Sequence, residues 1–193
     1  MVDVSAYAWT TLALVREHLR IAASDTSKDE QLKSFINRSM GMLERYIGRQ
    51  IKSRAYTEYQ DGDERDIVLV DQWPIISVTS LHSDPLRTFG SETEIDSSDY
   101  NIYANEGRIQ LYSEEGVFVK SEQGIKIVYT AGYATIPDDL EYAATSHVSF
   151  LYNKSGHEGH SSISLGGLSK SYDPNPIPED VRFALEPYRR RPV

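Results

Sequence analysis

The apolar residues of this 193-residue chain change their spacing twice, and that change bounds the fold more tightly than any single motif. From Leu12 to Ile47 they recur at the 3.6-residue period of a helix. From about residue 55 to 134 the period is two, and from Leu140 the helical period returns. The order helices, strands, helices implies an α+β fold: a small helical bundle core of about four helices with an inserted antiparallel β unit. On this reading residues 1–54 and 137–193 form the helical core with a C-terminal tail, and residues 55–136 form the insertion.

Thr11 is placed to cap a first helix, with Leu12, Val15 and Leu19 following at helical spacing. A second helix is expected after "SDTSKDEQ", where Ser27 and Glu30 stand in capping-box register. Its apolar face would carry Leu32, Phe35, Ile36, Leu43, Tyr46 and Ile47, with Ser39 and Gly41 weakening the middle. Gly48 stands where a left-handed residue would end it.

In the middle, "AYTEYQ" and "DIVLV" flank "DGDER", which predicts a hairpin because Asp-Gly tolerates positive φ. The runs "IISVTSLHS", "DYNIYA", "GRIQLY" and "GIKIVYTA" are rich in β-branched and aromatic residues. Trp73-Pro74 opens one of these strands and puts it at a sheet edge, since proline cannot donate to a ladder. Gly132 permits the bend out of the last strand.

The returning helix would bury Leu140, Ala143, Ala144, His147, Val148 and Leu151. "NKSGHEGHSSISLGGLSKSYDPNPIP" then reads as a long Gly/Ser/Pro loop, mobile or held by a partner. A last short helix begins at Pro178, with acids in its first turn and arginines beyond its end.

Composition narrows the function. The chain has no cysteine, which removes disulfides, thiolate metal sites and cysteine nucleophiles. Its apolar runs fall far short of the roughly 18 residues of a membrane span. "MVDVSAYAWTTLALVREHLR" lacks the pattern of a signal peptide, so a cytoplasmic origin is the expectation. The net charge of −9 is uneven: residues 55–142 hold five Lys/Arg against eighteen Asp/Glu, a balance of −13. Such a surface repels phosphate and argues against a sequence-reading DNA binder.

No catalytic constellation emerges. Asp138 and Asp139 follow Pro137 at a helix start, where carboxylates favour free N–H groups and the macrodipole. Adjacent residues also point to different helix faces, a poor geometry for shared acid–base work. His157 and His160 stand three apart, not the four of the zinc-protease helix, and no third ligand is evident. His18, His82 and His147 are scattered and read as surface or packing residues. Acids and tyrosines of the β unit could suit a carbohydrate-binding or carbohydrate-active face, but turn acids and sheet tyrosines explain the same composition. No cofactor fingerprint is present.

Five segments taken in order give a more specific indication. "LALVREHLRI", "DEQLKSFINRSMGMLERYIGRQI", "WPIISVTSLHSDP", "DYNIY…GRIQLY" with "IKIVYTAGYATIPDDLEYAA", and "GGLSKSYDPNPIPEDVRFALEPYRR" span nearly the whole chain. In this order they resemble the head–tail connector (adaptor, or head-completion) proteins of long-tailed double-stranded DNA bacteriophages. The resemblance implies a non-enzymatic virion protein of the neck, assembled in the host cytoplasm. It would form a homo-oligomeric ring, typically dodecameric, under the portal protein. Packaged DNA would pass through without sequence-specific binding, and a tail-side stopper protein would dock below. A stopper or tail-terminator module is the alternative within the virion. On this resemblance portal docking is placed on Tyr188, Arg189, Arg190 and Arg191. The loop from Lys154 to Pro176 is the second interface candidate, reaching a neighbouring subunit or the tail-side partner. No metal and no cofactor is implied.

Overall fold

The computed structural model describes residues 2–112, 116–155, 162–165, 168–171 and 175–190. In chain order the elements are α1 (Leu12–His18), α2 (Asp29–Ile47), β1 (Arg54–Gly62), β2 (Ile67–Leu69), β3 (Ile75–Ser83) and β4 (Tyr100–Tyr103). They continue with β5 (Arg108–Leu111), β6 (Ser121–Ala131), α3 (Asp138–Ser155), β7 (Ser162–Leu165), β8 (Leu168–Ser171) and α4 (Glu179–Leu185), which runs into a 3-10 turn at Glu186–Tyr188. The fold is mixed α+β, as the two changes of period require. Two compact units divide the chain: Met1–Arg49 with Thr135–Val193, and Gln50–Ala134.

In the helical unit α3 is the central element and packs against α1, α2 and α4. Thr11 caps α1 by accepting from the Leu14 amide at 3.3 Å. Leu32, Ile36, Met40, Leu43 and Ile47 form the buried stripe of α2, while Phe35 and Tyr46 lie half-buried at its margins. Gly48 closes the helix at φ 76° and donates to the Glu44 carbonyl at 2.9 Å. From α3 come Leu140, Ala143, Ala144, Val148 and Leu151, and from α4 Val181 and Leu185. Burial of each large apolar side chain contributes roughly 1.5–3 kcal/mol. The segment before α1 is also held: Trp9 is fully buried, and the Thr10 and Thr145 hydroxyls bond at 2.7 Å.

Two local expectations for this unit are corrected. Ser27 and Glu30 form no capping box, because α2 starts at Asp29 and its N-cap, Lys28, makes no side-chain cap. The Ser27 amide donates instead to Asp25 Oδ1 at 3.0 Å. The Glu30 carboxylate is taken by the Val2 amide at 2.6 Å and Lys33 Nζ at 3.1 Å, so tertiary donors outcompete the local one. The segment expected to be one long loop holds an antiparallel pair, β7 with β8, in register from Ser162↔Ser171 to Leu165↔Leu168.

Two three-stranded antiparallel sheets make up the β unit, ordered β1-β6-β3 and β2-β5-β4. They share one core of Val68, Val70, Ile75, Leu81, Tyr100, Ile109, Phe118, Ile125, Ile127, Tyr129 and Ala131. The strand after Trp73-Pro74 is β3, and it lies at a sheet edge. The predicted hairpin across "DGDER" is absent: β1 pairs with β6 along its length, and β2 belongs to the other sheet. Gly62 is not a turn residue but the last residue of β1, opposite Ser121. A Cβ there would lie 1.9 Å from the Val119 carbonyl oxygen, so glycine serves close approach.

Candidate functional site

The docking residues expected at the C-terminus are held onto the helical unit by their own chemistry. The Tyr188 phenol donates to both Asp139 carboxylate oxygens, at 2.9 and 2.8 Å, while the Tyr188 carbonyl accepts from Arg49 Nε at 2.7 Å. Arg190 donates its amide to the Ile47 carbonyl at 2.8 Å, at the end of α2. The Arg189 guanidinium pairs with Glu186 at 3.2 Å and lies 5.3 Å from the centre of the Tyr46 ring. Arg189 and Arg190 are both exposed. The structure therefore brings Tyr188, Arg189 and Arg190 together over the ends of α2 and α3; Arg191 lies outside the described residues.

Asp138, Asp139 and Glu141 stand in the first turn of α3, where carboxylates favour the positive end of the helix. Asp139 also accepts from the Leu140 amide at 2.9 Å. Its second task, holding Tyr188, carries no local signal because the partners are 49 residues apart.

Other polar clusters are structural. Tyr129 is fully buried and donates its phenol to the Glu58 carboxylate while accepting from the Gln72 amide at 3.2 Å. Burial first, and the Glu58 carboxylate second, push this phenol well above its ordinary pKa, so it remains a protonated donor. Glu58 also accepts from the Asp71 amide at 3.1 Å, which leaves it committed as an acceptor on several sides. Asp84 accepts from the amides of Leu86, Thr88 and Phe89 at 2.8, 2.6 and 2.8 Å and from the Thr88 hydroxyl at 2.8 Å. These bonds, the Phe89 amide foremost, lower its pKa to about 2. It orders the loop after β3 as a permanent anion.

The histidines divide by environment. His18 is exposed with its ring 6.2 Å from that of Tyr142, whereas His82 and His147 are buried. His147 bridges two segments: Nδ1 meets the Ser39 hydroxyl at 2.8 Å, and Nε2 meets the Pro176 carbonyl at 2.9 Å. Burial lowers its pKa, and the Pro176 bond opposes that shift. His157 and His160 lie outside the described residues. Among the described residues no group of three or more His, Cys, Asp or Glu could hold a metal ion. A groove of about 340 Å³ runs between α1 and α3, with Glu17, His18, Asp138, Glu141 and Thr145 among the residues on its walls. No described helix is long and apolar enough to cross a membrane.

The family model for head completion proteins matches residues 8–191. The chain belongs to the head completion protein family. A structural role as a head–tail connector follows for this head completion protein. No curated protein matches the chain. Among solved structures, a chain in the neck of an empty gene transfer agent (GTA) particle, computed with C6 symmetry, superimposes with a TM-score of 0.66. It shares 20% identity over 99% of this chain and 95% of that one. A chain in the neck of the native GTA particle, computed with C12 symmetry, gives 0.61 at 20% identity over 99% and 95%. A chain from the virion of the native gene transfer agent particle gives 0.62 at 21% identity over 94% and 89%. These likenesses show that this head completion protein shares their fold.

Proposed function

We propose that the chain is a ring-forming adaptor of the virion neck, dodecameric, seated under the portal protein with a tail-side stopper protein below it. The observation that carries this reading is the family match across residues 8–191. The neck position and the six- and twelvefold symmetry of particles containing the same fold support it. The protein works without catalysis, by presenting surfaces, and it assembles in the host cytoplasm. Packaged DNA passes through the ring. The excess of acids in residues 55–142 favours passage over retention, since like charge repels the phosphate backbone.

Portal docking falls to the C-terminal residues. Tyr188 and Arg189 fix the tail on the helical unit, and Arg190 and Arg191 present charge to the portal. Side-chain substitution tests this better than truncation: removing residues 187–193 would also remove the bonds from Tyr188 to Asp139 and Arg49 and from Arg190 to Ile47. Arg190→Glu combined with Arg191→Glu is expected to weaken co-sedimentation with purified portal at least about tenfold, within the range of charge-pair losses at interfaces. Circular dichroism of the variant should show the parent's folded spectrum, which separates lost docking from lost fold. Docking at parental strength would remove the tail from the portal interface.

A further inference from the structure

Two exposed helix faces of the helical unit have complementary shapes and charges. On α4 Phe183 is 83% exposed, so its ring is almost wholly in water in the single chain. Glu179 and Asp180 stand one turn before it and Glu186 one turn after, all exposed. On α2 the exposed stripe carries Arg38, Gly41 and Arg45, three and four residues apart. Gly41 is the anomaly. Glycine is the poorest helix-interior residue apart from proline, and nothing lies within 4 Å of where its Cβ would be. Among the described residues no packing accounts for the missing side chain. Arg38 and Arg45 form no ion pair among the described residues, whereas Glu186 pairs with Arg189.

The spacings match. Glu179 and Glu186 are seven residues apart around Phe183, and Arg38 and Arg45 are seven apart around Gly41, a rise of about 10 Å in each case. An aromatic knob with carboxylates at both ends thus matches in spacing a side-chain-free notch with a guanidinium at each end. Both α2 and α4 pack on α3, and the turn after α4 reaches the end of α2, where Arg189 lies over the Tyr46 ring and the Arg190 amide meets the Ile47 carbonyl. Two unlike, mutually complementary patches on one chain define a head-to-tail contact, which closes into a ring when the rotation permits.

We propose that α4 of one copy docks on α2 of the next, with Phe183 seated over Gly41 between Arg38 and Arg45. The occupant is a second copy of this chain, and the proposal rests on the ring-forming reading above. The carboxylates set the register and Phe183 supplies the buried apolar anchor.

The absence of cysteine makes the contact directly testable. A chain carrying both Gly41→Cys and Phe183→Cys, concentrated with and without portal under dioxygen as oxidant, should give a ladder of covalent multimers on a non-reducing gel. Either single variant should give dimers at most, and a mixture of the two singles should give the cross-linked pair. Gly41→Leu provides the complement: it fills open space on a helix, so the monomer should melt about 3 °C higher, yet native mass spectrometry should find its oligomers lost. Rings that form at parental level with Gly41→Leu, or that form without the cross-link, would overturn the docking and leave the ring reading intact. If the parent protein forms no oligomer alone or on portal, both fall together.

Discussion

Gly132→Val is expected to lower the stability of the β unit by about 3 kcal/mol or more, enough to unfold much of it at 37 °C. Gly132 follows β6 with φ 105°, a conformation closed to β-branched residues. A Cβ would lie 2.6 Å from the Ile51 carbonyl oxygen and 3.0 Å from backbone atoms of Lys52 and Ser53. That backbone cannot retreat cheaply. The Tyr133 amide holds the Ile51 carbonyl at 2.8 Å, the Ser53 amide holds the Tyr133 carbonyl at 3.1 Å, and Gly132 itself donates to the Pro74 carbonyl at 2.9 Å. Urea unfolding followed through Trp73 reports on this unit. A midpoint equal to the parent's would show that the junction is looser than its contacts imply.

His147→Ala is expected to destabilise the helical unit by about 3–5 kcal/mol. The Pro176 carbonyl can only accept, so Nε2 carries the ring proton in the neutral imidazole and Nδ1 accepts from the Ser39 hydroxyl. Alanine would leave a buried hydroxyl and a carbonyl without this partner and would open a cavity beside α2. The same geometry fixes the pH dependence. Because burial lowers the pKa below the ordinary 6.5, the neutral form is favoured in the fold. Its contribution is complete above about pH 6.5 and declines as pH falls below that value toward the folded-state pKa. Urea midpoints read through Trp9 between pH 5 and 8 check this, with His147→Asn expected to flatten the acid side. An unchanged slope would assign the acid sensitivity to other groups.

How much was legible in the sequence follows from where each determinant lies. The α2 stripe and the α3 face could be read because helix period and burial share one cause, namely removal of a continuous apolar face from water. Strand pairing could not. Asp61-Gly62 has the composition of a turn, but Gly62 is required by the Val119 carbonyl, and steric need and turn preference look identical in a sequence. Ser39 weakens a helix by propensity, yet its hydroxyl is the partner that seats a histidine 108 residues away. Likewise the tail residues were visible as a cluster of Tyr and Arg. Their attachment through Asp139, Arg49 and the Ile47 carbonyl depends on elements brought together only by folding.

The most direct test of the account is electron microscopy of the pure protein mixed with purified portal, with symmetry determined from the images. The account predicts a closed ring of about twelve copies stacked coaxially on the tail-side face of the portal, continuing its channel, in keeping with cyclic necks that carry this fold. Portal rings that gain no added density while the protein stays monomeric at saturating concentration would contradict it.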